Sequence, residues 1–96
     1  MTTATETGCF ETRAIHVGYD RQTNADAVSV PIYASAAFDL ENARRGDALA
    51  GGSLPGFEYS RVANPTVDAL ERRLASLEGG VGAVALSSGM AAVSYA

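Results

Sequence analysis

Residues 64–93 read NPTVDALERRLASLEGGVGAVALSSGMAAV, and this run decides the fold. Asn64 before Pro65 marks a helix start: the asparagine can accept from a free backbone N–H, and proline at the first helical position has no N–H to leave unpaired. Val67, Leu70, Leu74 and Leu77 recur at helical spacing and form one apolar stripe. Asp68 stands four residues before Arg72, the orientation that supports a helix, and Gly79-Gly80 ends it. Residues 81–86 are continuously apolar, as in a strand buried on both faces of a parallel sheet. Ser87-Ser88-Gly89 breaks that run, and Met90 opens another apolar helix. Helix, strand, small-residue turn and helix in this order predict an α/β fold.

Upstream of Asn64 the pattern is weaker. Residues 1–9 are small and polar and read as a disordered leader. Residues 10–17 allow a short helix closed by Gly18, and residues 19–30 are rich in turn formers. Pro31 excludes a helix interior and biases Val30 to an extended conformation, so residues 28–32 read as extended. Asp39 is the expected cap of a second short helix reaching about Ala50, and residues 51–56 read as loop. The strand at 81–86 finds no second convincing strand, and a parallel strand needs a neighbour. The chain therefore reads as the opening of a larger α/β protein. The alternative is a small α+β domain in which residues 28–38 supply the other strands.

Composition narrows the chemistry. The 96 residues carry a net charge of −4, and all seven basic residues are arginine. Within these residues no lysine nucleophile or P-loop amine exists. One cysteine, Cys9, and one histidine, His16, exclude an internal disulfide and a Cys- or His-cluster metal site, so no metal is expected. The acidic excess argues against nucleic acid as a partner. No run approaches the roughly 18 apolar residues of a membrane span. Without a cationic stretch leading into an apolar one, no secretory signal is visible, and a cytoplasmic protein is expected.

Two short motifs point to an anion. In Ser87-Ser88-Gly89-Met90, small residues lead into a helix N-terminus, where backbone N–H groups lack intrahelical partners and the dipole favours negative charge. Taken alone, these residues read first as an ordinary strand-to-helix turn with a serine cap. In Tyr59-Ser60-Arg61, alternate residues of an extended segment would present a phenol and a guanidinium to one side, and arginine's planar fork suits phosphate. The plainer alternative pairs Arg61 with Glu58 or Asp68. His16 reads as a packed or capping side chain, Cys9 as incidental, and Arg72-Arg73 as the solvated side of an amphipathic helix.

The run from Phe57 to Ala96, FEYSRVANPTVDALERRLASLEGGVGAVALSSGMAAVSYA, resembles the early part of the Cys/Met-metabolism family of pyridoxal-phosphate (PLP) enzymes. Tyr-Ser-Arg, Asn-Pro-Thr, Leu-Glu-Gly-Gly and Ser-Gly-Met stand in that family's order. FETRAIHVGYD and SVPIYASAAF resemble its opening helix and Pro-Ile-Tyr segment, which extends the likeness to residues 10–96. Within the family the chain is most similar to O-acetylhomoserine sulfhydrylases; cystathionine γ-synthase, cystathionine γ-lyase and methionine γ-lyase share the framework.

The resemblance implies a PLP-dependent transferase fold of type I, aspartate aminotransferase-like. Residues 10–60 would be an N-terminal arm for dimerisation, and residues 61–96 the start of the large, PLP-binding domain. It implies that Ser88, Gly89 and Met90 bind the PLP phosphate, and that Tyr59 and Arg61 reach across a subunit interface to the phosphate of a neighbour's cofactor. A homodimer or homotetramer acting on a small amino-acid substrate follows. The family's cofactor-binding lysine, the aspartate facing the pyridine nitrogen and the tyrosine on the ring are expected beyond Ala96. No catalytic residue is therefore expected among these 96, and the segment alone is expected to be inactive. A non-catalytic, truncated interaction module is the remaining alternative.

Overall fold

The computed structural model describes residues 8–96, so the expected leader lies mostly outside the described residues. Among these, the chain forms α1 (Phe10–His16), a 3₁₀ turn (Gln22–Asn24), α2 (Ala43–Ala50), α3 (Pro65–Glu78) and α4 (Gly89–Tyr95). The α3 helix begins and ends as its sequence dictates. Asn64 is extended and its side chain accepts from Thr66 N at 2.8 Å, while Gly79 takes the left-handed conformation at φ 68°. Gly80 N then donates to Ala75 O at 2.9 Å, satisfying one of the last free carbonyls.

The helix α1 packs on α3 in the opposite direction, Arg13 meeting Ser76 and Val17 meeting Arg73. Val17 and Ala69 are buried between them. Gly18 makes the approach possible: at φ +87° a methyl group there would lie 2.7 Å from the Ala69 carbonyl oxygen. Two arginines supply the polar part of the contact. Arg13 Nη1 donates to Ser76 O at 2.6 Å, and Arg73 Nε donates to Val17 O at 2.8 Å. Each serves a carbonyl near the C-terminus of the other helix, where free acceptors and the negative end of the dipole favour a cation.

Here the structure corrects the sequence. Arg73 is not on a solvated side; it holds α1. Only Arg72 stays outside, paired with Asp68 at 2.8 Å as the spacing predicts. The stripe of Val67, Leu70 and Leu74 points away from α1 and is 41%, 49% and 44% exposed.

Two further expectations change. Asp39 does not cap α2. Its carboxylate accepts from Glu41 N at 2.7 Å in a local turn, Glu41 goes left-handed at φ 65°, and Asn42 becomes the cap, accepting from Arg45 N at 2.8 Å. Residues 81–86 are not a strand either. A strand exists only through a ladder partner, and the one bond recorded for this run is Ala85 N to Glu71 Oε2 at 2.8 Å. Residues 28–32 likewise pair with no strand. Among the described residues the β pairing is one antiparallel bridge, Ala37 with Tyr59. The described residues are thus helices and turns, and the expected α/β pattern is not realised as a sheet within them. The packing is open, with a radius of gyration of 14.8 Å against roughly 13 Å for a compact chain of about 100 residues. No helix among the described residues is long and apolar enough to cross a membrane.

Candidate functional site

The segment before Tyr59 and the start of α3 are stitched together by Asn64 and Thr66. Asn64, at 8% exposure the one buried polar residue among the described residues, caps α3 through Oδ1. Its Nδ2 donates to Tyr33 O and to Ser60 Oγ, each at 2.9 Å. The Thr66 hydroxyl accepts from Tyr33 N at 2.9 Å and donates to Pro31 O at 2.7 Å. The Asn-Pro-Thr element therefore does more than start a helix: it clamps residues 31–33 across the helix entrance. Sequence reasoning found the cap and missed the clamp, although a second polar side chain at Thr66 was the available signal.

That clamp fixes where Tyr59 and Arg61 stand. Phe38 N donates to Glu58 O at 3.0 Å and Ser60 N to Ala36 O at 2.8 Å, on either side of the Ala37–Tyr59 bridge. The chain then turns, Val62 N and Ala63 N both donating to Tyr59 O at 3.0 and 3.1 Å. Tyr59 and Arg61 are thus brought to one place by a turn, and not by the alternation of an extended segment. The Arg61 guanidinium carbon sits 5.1 Å from the centre of the Tyr59 ring, a cation–π arrangement. Asp68 is taken by Arg72, and no ion pair or side-chain hydrogen bond of Arg61 is found among the described residues. Its fork of donors is free and solvent-facing.

Ser88 caps α4, its Oγ accepting from Ala91 N at 3.1 Å. Gly89 and Met90 follow in the first turn, where N–H groups have no acceptor within the helix. A methyl group built on Gly89 would meet nothing within 4 Å, so the space in front of this turn is open. The donor set suits a phosphate: two backbone N–H groups and a serine hydroxyl here, a guanidinium and a phenol on the other element. The structure brings Tyr59 to Arg61 and Ser88 to Met90. Among the described residues no hydrogen bond or ion pair joins the two groups. Two hollows of about 500 and 570 Å³ lie beside α3 and include none of these five residues.

The remaining candidates do less. His16 is exposed in the last turn of α1 and neither packs nor caps. Cys9 has a neighbour the sequence did not reveal: the Thr12 hydroxyl, 3.3 Å from its sulfur, holds the exposed thiol below its ordinary range. Partial desolvation pushes the Tyr19 phenol up, in keeping with its donation to Ala27 O at 2.6 Å. No group of three His, Cys, Asp or Glu side chains among the described residues is placed to hold a metal.

Comparison with known proteins gives this geometry its context. The family model for the Cys/Met metabolism PLP-dependent enzymes matches residues 11–96. The chain is 49% identical over 87 residues to O-acetyl-L-homoserine sulfhydrylase of Corynebacterium glutamicum, covering 91% of the chain and 20% of that protein. It is 48% identical over 84 residues to L-methionine gamma-lyase of Pseudomonas putida, covering 88% and 21%. With homocysteine/cysteine synthase of Kluyveromyces lactis it shares 44% identity over 88 residues, covering 91% and 20%. The chain spans about a fifth of the length of these curated relatives.

Proposed function

The chain belongs to the Cys/Met metabolism PLP-dependent enzyme family, and from that premise we propose that it supplies the phosphate-gripping parts of an O-acetylhomoserine sulfhydrylase. PLP is the family's cofactor. When bound it serves as electron sink for the amino-acid substrate, and the proposed reaction exchanges the acetate of O-acetylhomoserine for sulfide, giving homocysteine.

In this proposal the chain's own residues bind and orient. Ser88, Gly89 and Met90 hold the phosphate at the start of α4, and Tyr59 and Arg61 grip the phosphate of a neighbouring subunit's cofactor. Residues 10–60 act as the arm of a homodimer or homotetramer, and residues 61–96 open the large domain of a cytoplasmic enzyme. The apolar run at 81–86, unpaired here, would find its ladder partners in the rest of that domain. The observation that carries this is the Arg61 guanidinium, stacked on Tyr59 with its donors uncommitted.

Replacing Arg61 tests it. In the enzyme containing this segment, Arg61→Ala removes a charge-assisted contact and should weaken PLP retention by roughly 1.5–3 kcal/mol. Unchanged PLP affinity would refute the assignment. A methionine γ-lyase is the second reading, favoured by the 48% identity to the Pseudomonas putida enzyme. Homocysteine formed from O-acetylhomoserine and sulfide supports the first, and thiol release from methionine as the main activity supports the second.

A further inference from the structure

We infer that Ser60, gripped by Asn64, is the positioning residue that presets the Tyr59–Arg61 pair for its anion. The inference rests on Tyr59 and Arg61 being phosphate ligands, as proposed above, and asks what holds them in place.

Ser60 stands between the two in sequence, and every polar atom of its N–H and side chain is committed. Its N–H donates to Ala36 O at 2.8 Å, its hydroxyl donates to Ser35 O, and its Oγ accepts from Asn64 Nδ2 at 2.9 Å. Asn64 is in turn held on three sides, being buried, capping α3 and donating to Tyr33 O. Among the described residues, Ser60 is therefore the one side chain that ties the Tyr59–Ala63 turn to the entrance of α3 on one side and to Ser35 on the other. Arg61 itself has no such tie. A long side chain on an untethered turn would lose much rotamer freedom on meeting an anion. On a tethered turn, with its guanidinium already over an aromatic face, that cost falls before the ligand arrives. Only a small hydroxyl residue can accept from Asn64 and donate to Ser35 at once.

The test uses the enzyme that contains this segment and compares PLP with pyridoxal, which lacks the phosphate. Ser60→Ala should reduce the preference for PLP over pyridoxal about threefold to tenfold, the worth of an ordinary hydrogen bond. Ser60→Thr, which keeps the hydroxyl, should restore it. Arg61→Ala should reduce the preference further, roughly tenfold to a hundredfold. In the Arg61→Ala background, Ser60→Ala should then cost much less than it does alone, because Ser60 acts through the pair and only Tyr59 is left to position. The ³¹P resonance of bound PLP should shift in both single variants.

If Ser60→Ala weakens PLP and pyridoxal alike, or if its full effect persists without Arg61, the inference is overturned. If Arg61→Ala leaves the PLP preference intact, the phosphate assignment itself fails, a result distinct from the failure of Ser60. Should Ser60→Ala not fold, Ser60→Cys carries the same cycle, keeping the size and replacing the hydroxyl with a weak hydrogen-bonding thiol.

Discussion

Substituting Gly18 asks whether α1 rests on α3 as closely as described. The residue has φ +87°, and a methyl group on it would lie 2.7 Å from Ala69 O, 3.0 Å from Arg72 Cβ and 3.2 Å from Arg73 N. Gly18→Ala has two costs. The left-handed backbone costs an L-residue about 1–2 kcal/mol, offset by about 0.4–1 kcal/mol from the stiffer unfolded chain. The steric cost cannot be relieved by a side-chain rotation, because two of the three atoms are backbone, so α1 must lift. Lifting stretches the 2.8 Å bond from Arg73 to Val17 O, a charged hydrogen bond worth about 1.5–3 kcal/mol.

Gly79→Ala is the internal control. Gly79 has φ +68° with nothing within 4 Å of an added methyl, so it pays the backbone cost alone. Hydrogen exchange of the peptide covering residues 10–18 reads the difference, at about 1.4 kcal/mol per tenfold change in rate. Gly18→Ala should speed that exchange about tenfold to a hundredfold, while Gly79→Ala leaves it nearly unchanged and loosens only the end of α3. Equal effects of the two substitutions on residues 10–18 would refute the packing argument.

The arginine contact and the thiol give two more outcomes. Arg73→Met should raise exchange in residues 10–18 about tenfold to a hundredfold, and Arg73→Lys should recover little of the protection, since an ammonium lacks the side-on Nε donor. Protection unchanged in Arg73→Met would show that the bond to Val17 contributes nothing. The Cys9 thiol is held below its ordinary range by Thr12, so its alkylation, followed on the Cys9 peptide by mass spectrometry, should begin at lower pH than for a free thiol. Thr12→Val removes the hydroxyl, raises the midpoint toward the ordinary value and slows alkylation at neutral pH. An identical pH profile in the two proteins would sink that account.

What was legible in the sequence is what is written in neighbouring residues. Asn64, Pro65 and Gly79 bound α3 where they predict it, because caps and left-handed glycines act within one turn. Ser88 before Gly89 likewise gives the start of α4. The cap of α2 falls at Asn42, three residues after the expected Asp39, because Asp39 closes a local turn on Glu41 N and Glu41 goes left-handed before the helix can start. Arg13, Arg73 and Thr66 act at separations of 63, 56 and 35 residues, and no local pattern encodes such contacts. Tyr59 and Arg61 were expected on one side of an extended segment; instead a turn brings the guanidinium over the ring, a contact that alternation does not predict.

In the proposed enzyme, the two sides of α3 would let one helix serve both an arm and a sheet. Toward α1 it offers Ala69, which is small enough for close approach, and the long side chain of Arg73, which ends on a carbonyl. This contact is secured by directional hydrogen bonds and a glycine, and it consumes little apolar surface. The leucine stripe is left over, with Leu70 and Leu74 about half exposed on the far side. At roughly 25 cal/mol per Å² of apolar surface buried, that stripe is the larger hydrophobic resource of the helix. Had α1 taken it, nothing apolar would remain on α3 to cover a sheet. Because arginines hold α1 along the second half of α3, and Asn64 and Thr66 hold residues 31–33 and Ser60 at its entrance, neither contact draws on the stripe, which stays available for whatever packs against it.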